Sequence, residues 1–154
     1  MSDLIYMRVE GESQNIISQN ASSFSSIGNK YQSGHEDECY VYNVNSSAYR
    51  DLATNTGHMS LTKLIDNATP LLSLALNNGE ELRIEISFYR HAGTQSCTLY
   101  FKTILEKAYI TQQNISMAND FTQSDMETLM LRYSSIVHKH MTANTHGYIL
   151  WSER

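Results

Sequence analysis

The chain has 154 residues, with 11 basic and 16 acidic side chains and a formal charge of −5. That length supports one domain over residues 1–154, burying about two thirds of its unfolded surface. The acidic balance leaves no basic footprint for nucleic acid, and no apolar run approaches the roughly 18 residues of a membrane helix. The N-terminal stretch MSDLIYMRVEGESQN lacks the apolar segment of a signal peptide.

Two cysteines, Cys39 and Cys97, occur with no Cys-x-x-Cys pair and no His–Cys cluster. This excludes a disulfide scaffold and a recognisable zinc site. Glycosylation sequons at Asn20, Asn45, Asn67 and Asn114 read as chance in an Asn/Ser-rich chain without a secretory signal.

The first strand is expected over Asp3–Val9, with Ile5, Met7 and Val9 on one side and Leu4, Tyr6 and Arg8 on the other. Gly11–Gly34 is polar but interrupted by Ile16–Ile17 and Phe24–Ile27, so loop and short strand are expected there. Cys39–Val44 is a second strand, with Tyr40, Tyr42 and Val44 on one face and Cys39 and Val41 on the other. Asn45–Gly57 reads as an excursion. A strand over Met59–Ile65 follows, with Met59, Leu61 and Lys63 in one phase.

The one clear helix is expected over about residues 70–78. Thr69 is its expected cap, Pro70 suits its first position, and Gly79 suits its stop. Leu71, Leu72, Leu74, Ala75 and Leu76 form its apolar face. Next, Leu82, Ile84, Ile86 and Phe88 alternate with Arg83, Glu85, Ser87 and Tyr89, a strand with one dry face. Arg90–Cys97 turns the chain.

Thr98–Ile110 is strand-prone, but neither phase is purely apolar: Phe101, Thr103 and Leu105 share theirs with Lys107 and Tyr109. Either a bulge resets the register or both faces meet protein. Thr111–Ser124 reads as a polar loop. Glu127–Met141 is one long strand or a bent pair, with Leu129, Leu131, Tyr133 and Val137 on one face. Arg132, Ser134, His138 and His140 dominate the other, which reads as solvent-facing. After a turn at Asn144–Gly147, His146–Ser152 closes the chain. The pattern predicts a mainly β fold, an antiparallel two-sheet barrel with one short packed helix.

Chemistry is harder to find. His35, Glu36, Asp37 and Glu38 are consecutive, and strand neighbours point to opposite faces, so they do not converge easily on one ion. They read as a charged loop or as an interface latch. His138 and His140 would chelate only with a third ligand such as His58 or His146. No GxSxG elbow or phosphate loop occurs, and Asp125 with Glu127 or Glu80 with Glu81 are pairs any soluble chain offers. No catalytic, cofactor or metal residue is assigned. Tyr6, Tyr31, Tyr40, Tyr42, Tyr89, Tyr100, Tyr109, Tyr133 and Tyr148 suit either an outer barrel layer or a protein contact.

Two stretches carry a specific resemblance: Ser26–Glu38, SIGNKYQSGHEDE, and Ser60–Leu72, SLTKLIDNATPLL, followed by LALNNG. With the opening strand and the terminal YILWSE, they resemble the Hcp family, the haemolysin-coregulated tube protein of the bacterial type VI secretion system, and its enterobacterial branch most of all. The resemblance spans essentially the whole chain in order. It implies a compact two-sheet barrel with a side helix, assembled as homohexameric rings that stack into a secreted tube. Implied partners are other copies of the chain, the sheath, baseplate and spike proteins, and small effectors in the channel. No cofactor, nucleic acid or stable membrane insertion is implied. The implied route runs from bacterial cytoplasm to extracellular space or target cell without a cleaved signal peptide.

By the same resemblance, Gly28–Glu38 corresponds to the loop entering a strand, Asn45–His58 to the extended loop that helps stack rings, and Pro70–Asn78 to the family's helix. The helix begins ATP where many relatives have ASP, which keeps a capping residue beside the proline. Tyr49–Gly57, YRDLATNTG, replaces a glycine-rich run found in many relatives, a departure that bears on ring-to-ring contacts more than on the ring. The alternatives are a divergent exported effector chaperone or adaptor that forms rings, and a small β-barrel hydrolase centred on His35–Glu38. With the chain ending at Arg154, no fused toxin is expected.

Overall fold

The computed structural model describes residues 4–28, 34–50, 54–91, 97–119 and 125–150. Its strands are β1 (Leu4–Gly11), β2 (Asn15–Ile16), β3 (Cys39–Asn45), β4 (Ala48–Arg50), β5 (Thr54–Thr56), β6 (Met59–Leu64), β7 (Leu82–His91), β8 (Cys97–Ser116), β9 (Met126–Arg132), β10 (Ser135–His140) and β11 (Thr145–Leu150). Among the described residues two helical segments occur, the single turn α1 (Phe24–Ile27) and the helix α2 (Thr69–Asn78).

The expected two sheets are one. Strands pair antiparallel in the order β8-β7-β1-β3-β6-β9, and β9 returns to β8, closing a six-stranded barrel. Closure removes the open edges that two flat sheets would leave. The core is the dry phase of each strand: Met7 and Val9, Cys39 and Val41, Met59 and Leu61, Leu82, Ile84 and Ile86, Leu129 and Leu131 are all buried. Burying each large aliphatic side chain contributes about 1.5–3 kcal/mol. The excursion after β3 contains a separate ribbon, β4 with β5, whose stem is closed by the Gly57 N–H donating to Ser47 O at 2.8 Å.

The mixed phases of β8 resolve as bulges. Leu82 sits opposite Ala108 but Ile84 opposite Leu105, and Lys107 at the extra position has φ +51°. The core phase therefore passes from Thr103 and Leu105 to Ala108 and Ile110. A second shift between Ile110 and Gln112 carries the strand onward. The expected loop over Thr111–Ser124 is thus strand to Ser116, because β9 supplies partners for its polar residues; residues 120–124 lie outside the described ones. A bulge in β3 between Val41 and Asn43 likewise turns Val44 towards the core, away from the Tyr40 and Tyr42 side expected for it.

Together β9 and β10 run along one edge of β8, from Met126 opposite Ser116 to His140 opposite Phe101. The path breaks at Tyr133–Ser134, so the bent-pair reading holds. There the sheet forks: β9 gives its other edge to β6 and closes the barrel, while β10 gives its own to β11. The break also resets the phase. Ile136 enters the core, and His138 and His140 follow it onto the inner side while Val137 turns outward, opposite to expectation.

The helix α2 ends as expected. Gly79 takes φ 59° and ψ 37°, and the Gly79 and Glu80 N–H groups donate to Leu76 O and Ala75 O. Its start differs. Thr69 lies inside the helix, and Asp66 Oδ1 instead accepts the Ala68 N–H at 3.0 Å. Leu72 and Ala75 are buried and Leu71 and Leu76 half-buried, but Leu74 is 49% exposed.

Candidate functional site

Two polar constellations organise the molecule. The first forms because Lys63 keeps the phase of Met59 and Leu61 on β6, which sends its side chain into the barrel. Val41 on β3 and Glu127 on β9 are its cross-strand neighbours. The ammonium meets Asp66 Oδ1, Glu127 Oε1 and Leu64 O, each at 2.8 Å, with all three side chains fully buried. Glu127 also accepts the Thr69 hydroxyl at 2.9 Å and a short bond from Gln113 Nε2. Ser73 donates to Gln113 Oε1 at 2.7 Å. One lysine thereby ties β6, β8, β9 and the first turn of α2 together.

Burial works against the Lys63 charge, but its anionic surroundings hold the pKa above that of an ordinary lysine. Asp66 and Glu127 supply this field, because Cys39 remains a thiol: burial first, then the Asp66 charge, push its pKa well up. A permanently protonated amine with three acceptors and a protonated thiol are poor nucleophiles. The cluster holds strands and helix in place, with Asp66 Oδ2 left buried and without a hydrogen-bond partner among the described residues.

The second constellation covers the outer face of β1. The His35 ring stacks on Tyr6 at 3.9 Å between centroids and 3° between planes. Tyr89 and Tyr40 stand edge-on around them. His35 Nδ1 lies 3.0 Å from Glu38 Oε1. Burial, then Tyr40 and Glu38, push the Tyr6 phenol far above its usual range. Glu36 accepts the Gly34 N–H and Asp37 accepts the Asn20 N–H. The four consecutive polar residues thus divide, His35 pairing with Glu38 while Glu36 and Asp37 each accept a backbone N–H, and together they fold the loop onto the barrel. Among the described residues no cluster with metal-ligating composition forms.

The remaining candidates disperse. Thr103 Oγ1 pairs with His138 Nδ1 at 3.0 Å, and burial lowers the His138 pKa. His140 Nδ1 accepts the Ala143 N–H at 3.2 Å, closing the next turn, while His58 and His146 are exposed. Asp125 is exposed while Glu127 is in the core. Glu80 accepts bonds from Gln14 and Ser13, and Glu81 accepts the Tyr109 hydroxyl, so they serve different contacts. Tyr31 lies outside the described residues. Sequence reasoning missed the importance of Lys63, although its phase with Met59 and Leu61 was the available signal.

A barrel forked at β9–β10, a stapled side helix and a latched loop invite comparison with known proteins. The family model described as "Type VI secretion system effector, Hcp" matches residues 6–140. The chain belongs to the Hcp family. It is 31% identical to the Major exported protein of Pseudomonas aeruginosa, covering 98% of this chain and 96% of that protein. It is 33% identical to Uncharacterized protein YhhZ of Escherichia coli K12 over 94% of this chain, which spans only 37% of that longer protein. Among solved structures, a crystal structure of an Hcp protein overlays with a TM-score of 0.93 at 29% identity, covering 99% of this chain and 100% of the other. Secreted protein Hcp3 from Pseudomonas aeruginosa overlays at 0.88 and 31%, again over 99% and 100%. These two relatives come from different bacteria, and their near-equal identities do not single out an enterobacterial branch.

Proposed function

We propose that the chain is a structural subunit of the type VI secretion inner tube, a single domain over residues 1–154 that assembles as a homohexameric ring. Rings stack, and the channel carries or protects small effectors during export. The observation that carries this reading is the family match over residues 6–140, joined to a fold overlay that covers both chains end to end. Two features of the molecule support a structural role. Its buried amine and thiol are held protonated, and His35 with Glu38 and His138 with Thr103 are engaged in intramolecular bonds. The reading includes no catalytic residue.

The partners in this account are other copies of the chain, the sheath, baseplate and spike proteins, and effectors within the channel. Its route runs from the bacterial cytoplasm to the outside or into a target cell without a cleaved signal peptide. Membership of an enterobacterial branch is a further proposal, resting on the SIGNKYQSGHEDE and SLTKLIDNATPLL segments.

Electron microscopy of the purified protein tests the proposal. Six-fold rings with an open channel are expected, and a small effector mixed with them should gain resistance to protease. Particles without rotational symmetry, at concentrations where a multimer is present, would refute the ring.

A further inference from the structure

Lys102 on β8 and Lys139 on β10 are direct cross-strand neighbours on the outer side of the sheet. Like charges so placed repel. Lys102 has Glu85 at 3.9 Å, but Lys139 has no ion-pair partner among the described residues. His146 on β11 is the next neighbour in the same row, and Tyr148 beside it is 68% exposed. The Arg90 guanidinium lies 4.5 Å from the centre of the Tyr100 ring, two residues before Lys102. Residues 133–150 contain no Asp or Glu, in a chain with 16 acidic residues. On its outer side β11 hydrogen-bonds to no strand among the described residues, although β5 of the separate ribbon approaches it.

A complementary corner lies elsewhere on the same chain. The Glu12 N–H donates to Glu81 O at 3.0 Å, which places these two residues together. Tyr109, 39% exposed, donates to Glu81 Oε1 at 3.3 Å. Among the described residues neither carboxylate is ion-paired with a cation, Lys107 included. Among the described residues the molecule thus holds Lys139 and Arg90 without a carboxylate partner at one end of the sheet, and two carboxylates without a cation beside an exposed tyrosine.

We infer that the basic edge of Arg90, Lys102 and Lys139 docks on the Glu12–Glu81 corner of a second copy of the chain. This deepens the ring reading and rests on it. The contact joins two different surfaces, so it is heterologous, the type that builds a ring when its rotation divides a full turn evenly. The charges give it register and speed of association, with Tyr148 and Tyr109 supplying apolar area.

Charge reversal tests the contact, because every subunit carries both halves. The concentration at which the assembly dissociates is measured by light scattering for the wild type, Lys139→Glu, Glu81→Lys and the double variant. Each single reversal should raise it by about tenfold or more, and the double variant should return to within about threefold of wild type. Lys139→Gln is the milder second variant should reversal impair folding, and it should raise the midpoint by a smaller factor. Single variants that assemble like wild type, or a double variant weaker than either, would overturn the contact while leaving the ring intact. A wild type monomeric at every concentration removes ring and contact together. Binding of a single-stranded oligonucleotide that Lys139→Glu abolishes without changing assembly would reassign the edge to nucleic acid.

Discussion

Lys63 Nζ and Glu127 Oε1 lie 2.8 Å apart across β6 and β9, with both side chains withdrawn from solvent. This pair sits on the β6–β9 seam of the barrel, and through Thr69 it fixes the start of α2. Charges in such a place are costly alone and tolerable only together.

Removing the cation alone should therefore be severe. Lys63→Met is expected to lower unfolding free energy by about 3–5 kcal/mol, because Asp66 and Glu127 lose their counter-charge in the core. Adding Glu127→Leu and Asp66→Asn should restore most of that loss. Urea unfolding followed by circular dichroism measures both. A single variant within about 1 kcal/mol of wild type would show that the cluster is not a staple.

The two cysteines should differ sharply in reactivity. Cys39 is buried and its thiol is held protonated, whereas Cys97 is exposed. A thiol reagent should label one site per native chain and two after denaturation, with the native label at Cys97 by peptide mapping. Rapid native labelling of Cys39 would contradict its placement beside Asp66.

Glu80 anchors the turn after β1. It accepts the Ser13 and Gln14 N–H groups and the Gln14 amide, and although burial opposes its charge, these bonds lower its pKa. The stability it contributes is present above the ordinary carboxylate pKa and is lost as pH falls through the lowered folded value. Glu80→Gln should cost about 1.5–3 kcal/mol near neutrality. The gap from wild type should shrink in acid. A gap independent of pH would remove the carboxylate from this role. Gly11 belongs to the same arrangement, since a Cβ there would stand 2.1 Å from Glu80 Oε2, so Gly11→Ala should disturb the anchor as well.

His138 adds a second acid response, in the fork strand β10. Burial lowers its pKa, so its neutral form is the one the fold accommodates against Thr103 and Phe101. That contribution is full above the ordinary histidine pKa and is lost as pH falls through the lowered one. Wild type should lose more stability than His138→Gln on acidification below about pH 6.5. Parallel losses in both proteins would place the response elsewhere.

Much of this fold was legible because the local pattern and the tertiary environment agreed. Leu82, Ile84 and Ile86 alternate cleanly, and Gly79 stops α2 where only a left-handed residue is comfortable. The misreadings fall where tertiary pairing outweighed local pattern. The polar run after Ile110 became strand because β9 lies beside it, and Val44 changed face at a bulge no residue type announced. His138 and His140 changed face because the chain breaks at Tyr133–Ser134, where the sheet forks. Lys63 carried its signal in its phase, but a cation in a core position is interpretable only once Asp66 and Glu127 are seen around it. Pro70 and Thr69 suggested a cap, yet Thr69 falls one residue inside the helix, where its hydroxyl accepts the Asp66 N–H and donates to Glu127.

The ring is the central claim, and the mass of the untagged protein in solution tests it most directly. Gel filtration coupled to light scattering over a range of concentrations should show a stable species near six times the 17.5 kDa chain. A monomer that persists across the whole range would contradict the account.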